Sequence, residues 1–291
     1  MRSKTTLNSL WMIVAGFFFA IMGVCVKLGA AKYSSSELVF YRSLFGFISI
    51  ALLTALRQMP LKTPHIHLHL SRSIHGFIAL MLFFYAITHL PLATAVTLNY
   101  TSPIFLAILV ALTTREKVKP VLVTSILLGF VGVVLLLNPT LSWDIFVAGG
   151  PGLISGMLTG YVYLQLTQLG RVKEPEWRTV FYFSLVCTLG SAGWVLAETF
   201  HPVTLTDLPL LAGLGVSATI AQLAMTRAYR KGNSLTAGSL AYSTVVFACF
   251  ANIVMWQQKL SVLNCLAIGL IVCGGLLSVW FTADKAVMTK L

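Results

Sequence analysis

Thr94, Thr97, Tyr100 and Thr101 recur at helical spacing on one face, and 142 residues later Thr236, Ser239, Tyr242 and Ser243 repeat the pattern. Hydroxyls and phenols donate and accept hydrogen bonds, so two such faces are suited to lining a wet cavity and binding a small polar substrate. The alternative for these positions, the two tyrosines and the further candidates named next included, is packing and hydrogen bonding between helices. Tyr85, Tyr161, Tyr163, Gln165 and Gln222 add polar groups to neighbouring apolar stretches and are further lining candidates. Arg42 is the one charge clearly inside an apolar stretch. Aligning Phe40-Tyr41-Arg42-Ser43-Leu44 with Phe181-Tyr182-Phe183-Ser184-Leu185, at an offset of 141, puts Phe183 in its place later in the chain. A fixed cation there suits an anionic substrate group or a carboxylate in a gate. The other reading is a side chain that snorkels to an interface, with Glu37 nearby but poorly phased for a helical pair.

Bond-breaking chemistry has little to work with. The chain has no phosphate-cradling Gly-x-x-x-x-Gly-Lys, no His-Glu-x-x-His and no Gly-x-Ser-x-Gly. Nor does an acidic residue lie deep in an apolar stretch to act as acid, base or proton carrier. His65, His67 and His69 alternate, which on an extended segment would place three imidazoles on one side, but no carboxylate or cysteine accompanies them as a further metal ligand. His75 and His89 sit near opposite ends of one stretch, at the interfaces or in a proton relay. No cofactor or catalytic residue is expected. Five cysteines, all within apolar stretches, draw no disulfide framework.

The elements that carry these residues are apolar spans. The chain is 57% hydrophobic and 10% charged, with a mean hydropathy of +0.88, too little polar surface for a soluble domain of 291 residues. Crossing a bilayer takes about 20 residues, and spans fall near 8–28, 37–56, 73–90, 94–113, 120–137, 147–167, 178–198, 208–228, 234–256 and 260–281. The first resembles a signal peptide, but its apolar run is long and the sixth span is its counterpart. Residues 86–137 align without a gap on 228–279, with ten identities in 52 pairs, among them Tyr100/Tyr242 and Gly132/Gly274. The fold expected is an all-α polytopic membrane protein of ten transmembrane helices, as two inverted five-helix repeats over 1–140 and 141–291. An odd number of spans per unit turns the second copy upside down, and such a repeat builds a midplane site that opens to either side. Gly152, Gly156 and Gly160 on the sixth span, echoed by Gly16 and Ala20 on the first, allow close helix packing or a surface for sliding.

Charge gives the orientation. Sixteen of the twenty Lys and Arg residues fall in loops and termini on one side, Arg72 among them, while Lys27, Lys32 and Lys259 lie on the other. Both termini are then cytoplasmic. The net charge of +12 anchors loops to an anionic leaflet and calls for no nucleic-acid partner.

The run from His89 to Ala95 leading into Tyr100–Pro103, the basic turn Arg115-Glu116-Lys117-Val118 and the glycine-bearing fifth span resemble the tandem EamA domains of the drug/metabolite transporter superfamily. The resemblance covers about 10–138 and 149–281, and the second unit departs from it, with Gln258 and Val245 in place of Glu116 and Pro103. It implies a carrier of the bacterial inner membrane, with a central cavity between the halves and spans 5 and 10 more peripheral. The function expected is secondary transport by alternating access, as an exporter of a small polar metabolite such as an amino acid. The partners are that substrate and the lipid bilayer; no coupling ion, proton included, and no oligomeric state is singled out. Substrate binding is assigned to Arg42, Tyr85, Thr97, Tyr100, Thr101, Tyr161, Gln222, Ser239, Tyr242 and Ser243. A membrane-embedded enzyme and a non-transporting structural or receptor-like protein are the alternatives.

Overall fold

The computed structural model describes residues 2–90, 92–114, 119–138, 149–196, 201–257 and 261–284, and among these it is all-helical. The turn Arg115–Val118 falls outside them, as do Pro91 and Gln258. In chain order the helices are α1 (Arg2–Ser9), α2 (Trp11–Gly29), α3 (Ser35–Leu56), α4 (Ile66–His89), α5 (Leu92–Asn99), α6 (Ser102–Thr114), α7 (Pro120–Leu137), α8 (Gly150–Arg171), α9 (Glu176–Val195), α10 (Leu208–Lys231), α11 (Ser234–Ala241), α12 (Ser243–Trp256) and α13 (Val262–Asp284). Among the described residues eight segments are long and apolar enough to cross a membrane, two of them being the α5–α6 and α11–α12 pairs. Helices α8 and α9 have 22 and 20 residues but lower hydropathy, because they carry glycines, Gln165, Ser184 and Ser191 for the interior. Leu52, Leu112, Phe250, Leu266 and Trp280 are exposed on the outside of the bundle, as a lipid-facing surface requires.

Local signals explain the ends. Ser34 and Glu37 form a capping box at the start of α3, Asn233 caps α11 through its side chain, and prolines open α7, α8 and α10. The α5–α6 break falls at Tyr100–Thr101, where Pro103 has no N–H to offer the Asn99 carbonyl. Thr101 N turns instead to the Leu98 carbonyl at 3.2 Å. The α11–α12 break falls at Tyr242 without a proline, and there packing supplies the cause. A Cβ on Gly16 of α2 would lie 2.7 Å from Ser243 Oγ and 3.1 Å from the Thr244 amide. Correspondingly, a Cβ on Gly156 of α8 would lie 2.6 Å from the Leu98 carbonyl oxygen, at the first break. Each broken helix is thus seated on a glycine from the other half of the sequence.

Inter-residue contacts sort the helix ends into two groups. Ser9 bonds Asn233, Arg178 reaches the Pro60 carbonyl and Arg230 the Lys173 carbonyl, so these share one end. Lys32 and Tyr33 bond Asp207 and Glu37 bonds His201 at the other end. Helix α2 therefore runs from the first end to the second and α8 from the second to the first. The packing exchanges them: α2 lies against α10, α11 and α12, and α8 against α4, α5 and α6. Helices α3 and α9 pack together on one flank, α7 and α13 on the other.

Candidate substrate site

The two bundles meet along a seam of tyrosines. Tyr100 and Tyr242, at the two helix breaks, face each other with ring centroids 6.1 Å apart. Tyr163 of α8 stacks on Tyr229 of α10 at 4.3 Å and 14°. Tyr229 and Tyr242 are fully buried, and their hydroxyls have no hydrogen-bond partner among the described residues. The hydroxyl of Tyr100 pairs with Thr244 and that of Tyr163 with Ser102. An unsatisfied buried phenol is costly, so Tyr229 and Tyr242 hold hydrogen-bonding capacity in reserve at the centre of the protein.

Two guanidinium groups lie beside this seam. Arg42 is 8% exposed, and Glu37 is turned away to cap α3 and hold His201. Arg72, counted from the sequence among the loop residues, lies inside α4 and is 1% exposed. Its guanidinium covers the ring of Phe183 at 3.9 Å, and Nη2 donates to Gln222 Oε1 at 3.3 Å. Both arginines come within electrostatic reach of the buried Cys187 thiol and of each other. Phe183, which replaces an arginine at the position matching Arg42, turns out to be the ring that receives Arg72.

The remaining candidates divide. Gln222 is part of the arginine site. Tyr161 stands edge-on to His75 at 5.0 Å. Thr97 is buried on α5, while Thr101 donates to its own helix at the Leu98 carbonyl, 2.6 Å away. Ser243 is pressed against Gly16, its hydroxyl unpartnered. Ser239 and Thr236 point away from the seam, toward the Ser125 carbonyl of α7 and Thr282 of α13, so these two hydroxyls of the second face are taken up in helix packing. Tyr85 does not join the others: it is 47% exposed and stacks on His89 at 4.0 Å. The histidine trio is not on an extended strand either, because α4 begins at Ile66. His69 is buried against Glu174, and no group of potential metal ligands forms among the described residues. Tyr229 and Arg72 carry no signal in the sequence beyond residue type, and Phe183 is marked there only by its match to Arg42.

Charge pairs pin the ends. Glu174 accepts from Thr63 at 2.5 Å and Arg178 at 2.6 Å, with His69 Nε2 at 3.1 Å. Burial by itself would raise its carboxyl, but these three bonds prevail and hold it at about 2. At the other end Lys32, Thr204 and Tyr33 keep Asp207 well below the usual carboxylate range. The seam itself is unequal at its two ends. At the first end α8 packs on α10, with Gly170 against the Arg230 backbone, Thr167 donating to the Tyr229 carbonyl and Glu176 bridging Arg230 and Lys231. Helices α2 and α4, their counterparts at the second end, share no comparable packing among the described residues.

Known proteins carry the same architecture. The pattern of the EamA-like transporter family matches residues 6–138 and again 144–280. The pseudopaline exporter CntI of Pseudomonas aeruginosa is 28% identical over 246 residues, covering 84% of this chain and 86% of its own. A riboflavin transporter of Rhizobium johnstonii is 26% identical, over 78% and 76% of the two chains. The S-adenosylmethionine uptake transporter of Rickettsia prowazekii is 24% identical, over 85% and 84%. One crystal structure of a protein superposes with a TM-score of 0.83 over 98% of both chains at 20% identity, a likeness of fold.

Proposed function

Because the chain belongs to the EamA-like transporter family, we propose that it is a secondary carrier that exports a small polar metabolite, an amino acid or a related compound, by alternating access. In this reading α8 and α9 join the eight apolar segments as membrane spans, giving ten in two inverted repeats over 1–140 and 141–291, in a bacterial inner membrane. The observation that carries it is the unequal seam. In an inverted repeat the two access states exchange the conformations of the halves, so a seam packed at one end and parted at the other is what one such state requires. The outward direction follows the similarity to the pseudopaline exporter. Tyr100, Tyr242, Tyr161, Thr97 and Gln222 are the proposed lining, and the cargo leaves chemically unchanged. Comparing metabolites in medium and cells from deletion and overexpression strains, then flux in proteoliposomes, tests this. A chemically altered product, or no flux of any compound that accumulates in the deletion strain, overturns it.

Arg57, Arg171, Lys173, Arg230 and Lys231 collect at the first end, which we assign to the cytoplasm with both termini. In a background with the native cysteines replaced by alanine, Leu205→Cys should react in intact cells with an impermeant maleimide and Lys173→Cys only after lysis. The reverse pattern inverts the orientation.

The tyrosines give a second expectation. Tyr242→Phe removes an unpartnered buried hydroxyl, so the folded protein should be at least as stable. If that hydroxyl meets substrate, flux per molecule falls by about tenfold, the scale of one hydrogen bond of about 1.4 kcal/mol. Unchanged flux returns Tyr242 to packing.

A further inference from the structure

A buried guanidinium is expensive unless paired, and the membrane interior offers no water to relieve it. Neither Arg42 nor Arg72 has an ion-pair partner among the described residues, where every pair involves Lys32, His69, Arg178, His201, Arg230 or Lys231. Gln222 satisfies one N–H of Arg72, while Nε and Nη1 are buried without a hydrogen bond. Phe183 covers the guanidinium, with Cζ 3.9 Å from its ring centroid, and a ring face takes up neither Nε nor Nη1 as a hydrogen bond. The two like charges also repel each other, and both act on the buried Cys187 thiol. Gln222 and Phe183 hold Arg72 in place without neutralising it, and no ion pair among the described residues neutralises Arg42.

We propose that Arg42 and Arg72 together bind a substrate with two carboxylate groups, one to each guanidinium, with Phe183 and Cys187 as the floor between them. The planar fork of arginine matches a carboxylate through two parallel N–H bonds. A substrate with one negative charge would leave one guanidinium unpaired, and a neutral one would leave both. The proposal rests on the carrier reading and narrows its cargo to diacids, acidic amino acids included.

Purified protein in detergent is titrated with straight-chain diacids and acidic amino acids, each beside its half-amide, and with glycerol phosphate, following thermal unfolding and tryptophan fluorescence. At least one diacid should bind and its isosteric half-amide should not. Arg42→Met and Arg72→Met should each weaken that diacid by roughly 30-fold or more, the effect of removing one partner of a buried charged hydrogen bond. Arg72→Met should also raise the melting temperature of the ligand-free protein, because an unpaired buried charge is removed. Arg72→Lys should recover part of the affinity, and Arg57→Met, on an exposed loop residue, should change nothing. The proposal is overturned if no diacid binds, if half-amides bind as well, if only the phosphate ester binds, or if the methionine variants keep their affinity. Flux separates the two claims. Diacid binding without flux in liposomes overturns the carrier reading alone, whereas export of neutral cargo undiminished by Arg72→Met overturns this assignment alone.

Discussion

Gly170→Leu should abolish net transport while the folded protein still reaches the membrane. A Cβ at position 170 would run into the Arg230 carbonyl oxygen and lie 2.7 Å from Arg230 Cγ. The added side chain therefore strikes backbone that cannot rotate away, and α8 must lift off α10. In the alternating-access reading proposed above, their contact belongs to the state in which the first end is sealed, so the penalty falls on that state alone. Overpacking costs about 1–3 kcal/mol, which at 1.4 kcal/mol per decade shifts the population roughly 5- to 150-fold. Thr226, fully buried on α10 with an unpartnered hydroxyl, reports the shift. In a background free of native cysteines, Thr226→Cys should be protected when Gly170 is present and reactive from the cytoplasmic face of inverted vesicles when it is Leu. Normal flux with the cysteine still protected would mean that α8 and α10 do not part during transport.

The second large effect is at Glu174. Its carboxyl is held at about 2 against an ordinary 4.5, a difference worth about 3 kcal/mol of stability. Because the folded value is depressed, that stability is fully present above pH 4.5 and is lost as the pH falls toward 2. The melting temperature of purified protein should drop across that window, and Glu174→Gln should flatten the drop. At neutral pH the same variant should be less stable by a similar amount, since His69 and Arg178 lose their shared partner. A pH profile identical for both proteins would show that the Thr63, His69 and Arg178 bonds do not set the carboxyl.

Apolar runs locate the helices well, because hydrophobicity over about 20 residues answers to the solvent and not to tertiary detail. The third span is the clearest departure: its apolar run begins near 73, but α4 starts at Ile66, since His69 and Arg72 are polar for interior reasons and not for lack of helix. Arg72 illustrates what stays hidden. Beside Ser71 and Ser73 it reads as a loop residue, and only the arrival of Phe183 and Gln222 from distant helices makes it an interior cation. Spans 94–113 and 234–256 read as unbroken in the sequence; Pro103 accounts for the first helix break once the structure shows it, whereas the break at Tyr242 depends on Gly16, a contact made by folding. Matching spacing places Thr97 and Ser239 alike; the structure separates their surroundings because α7 and α13 cover the second face.

The exchange of α2 and α8 ties the history of the two halves together. Each bundle draws its first helix from the other half, so neither half can close its own wall, and a change in one is felt inside the other. Copies locked in this way are no longer free to keep identical inventories. One holds Arg42 where its twin holds Phe183, the aromatic ring that steadies a different arginine, so the interior between two matching halves has a single sense of polarity.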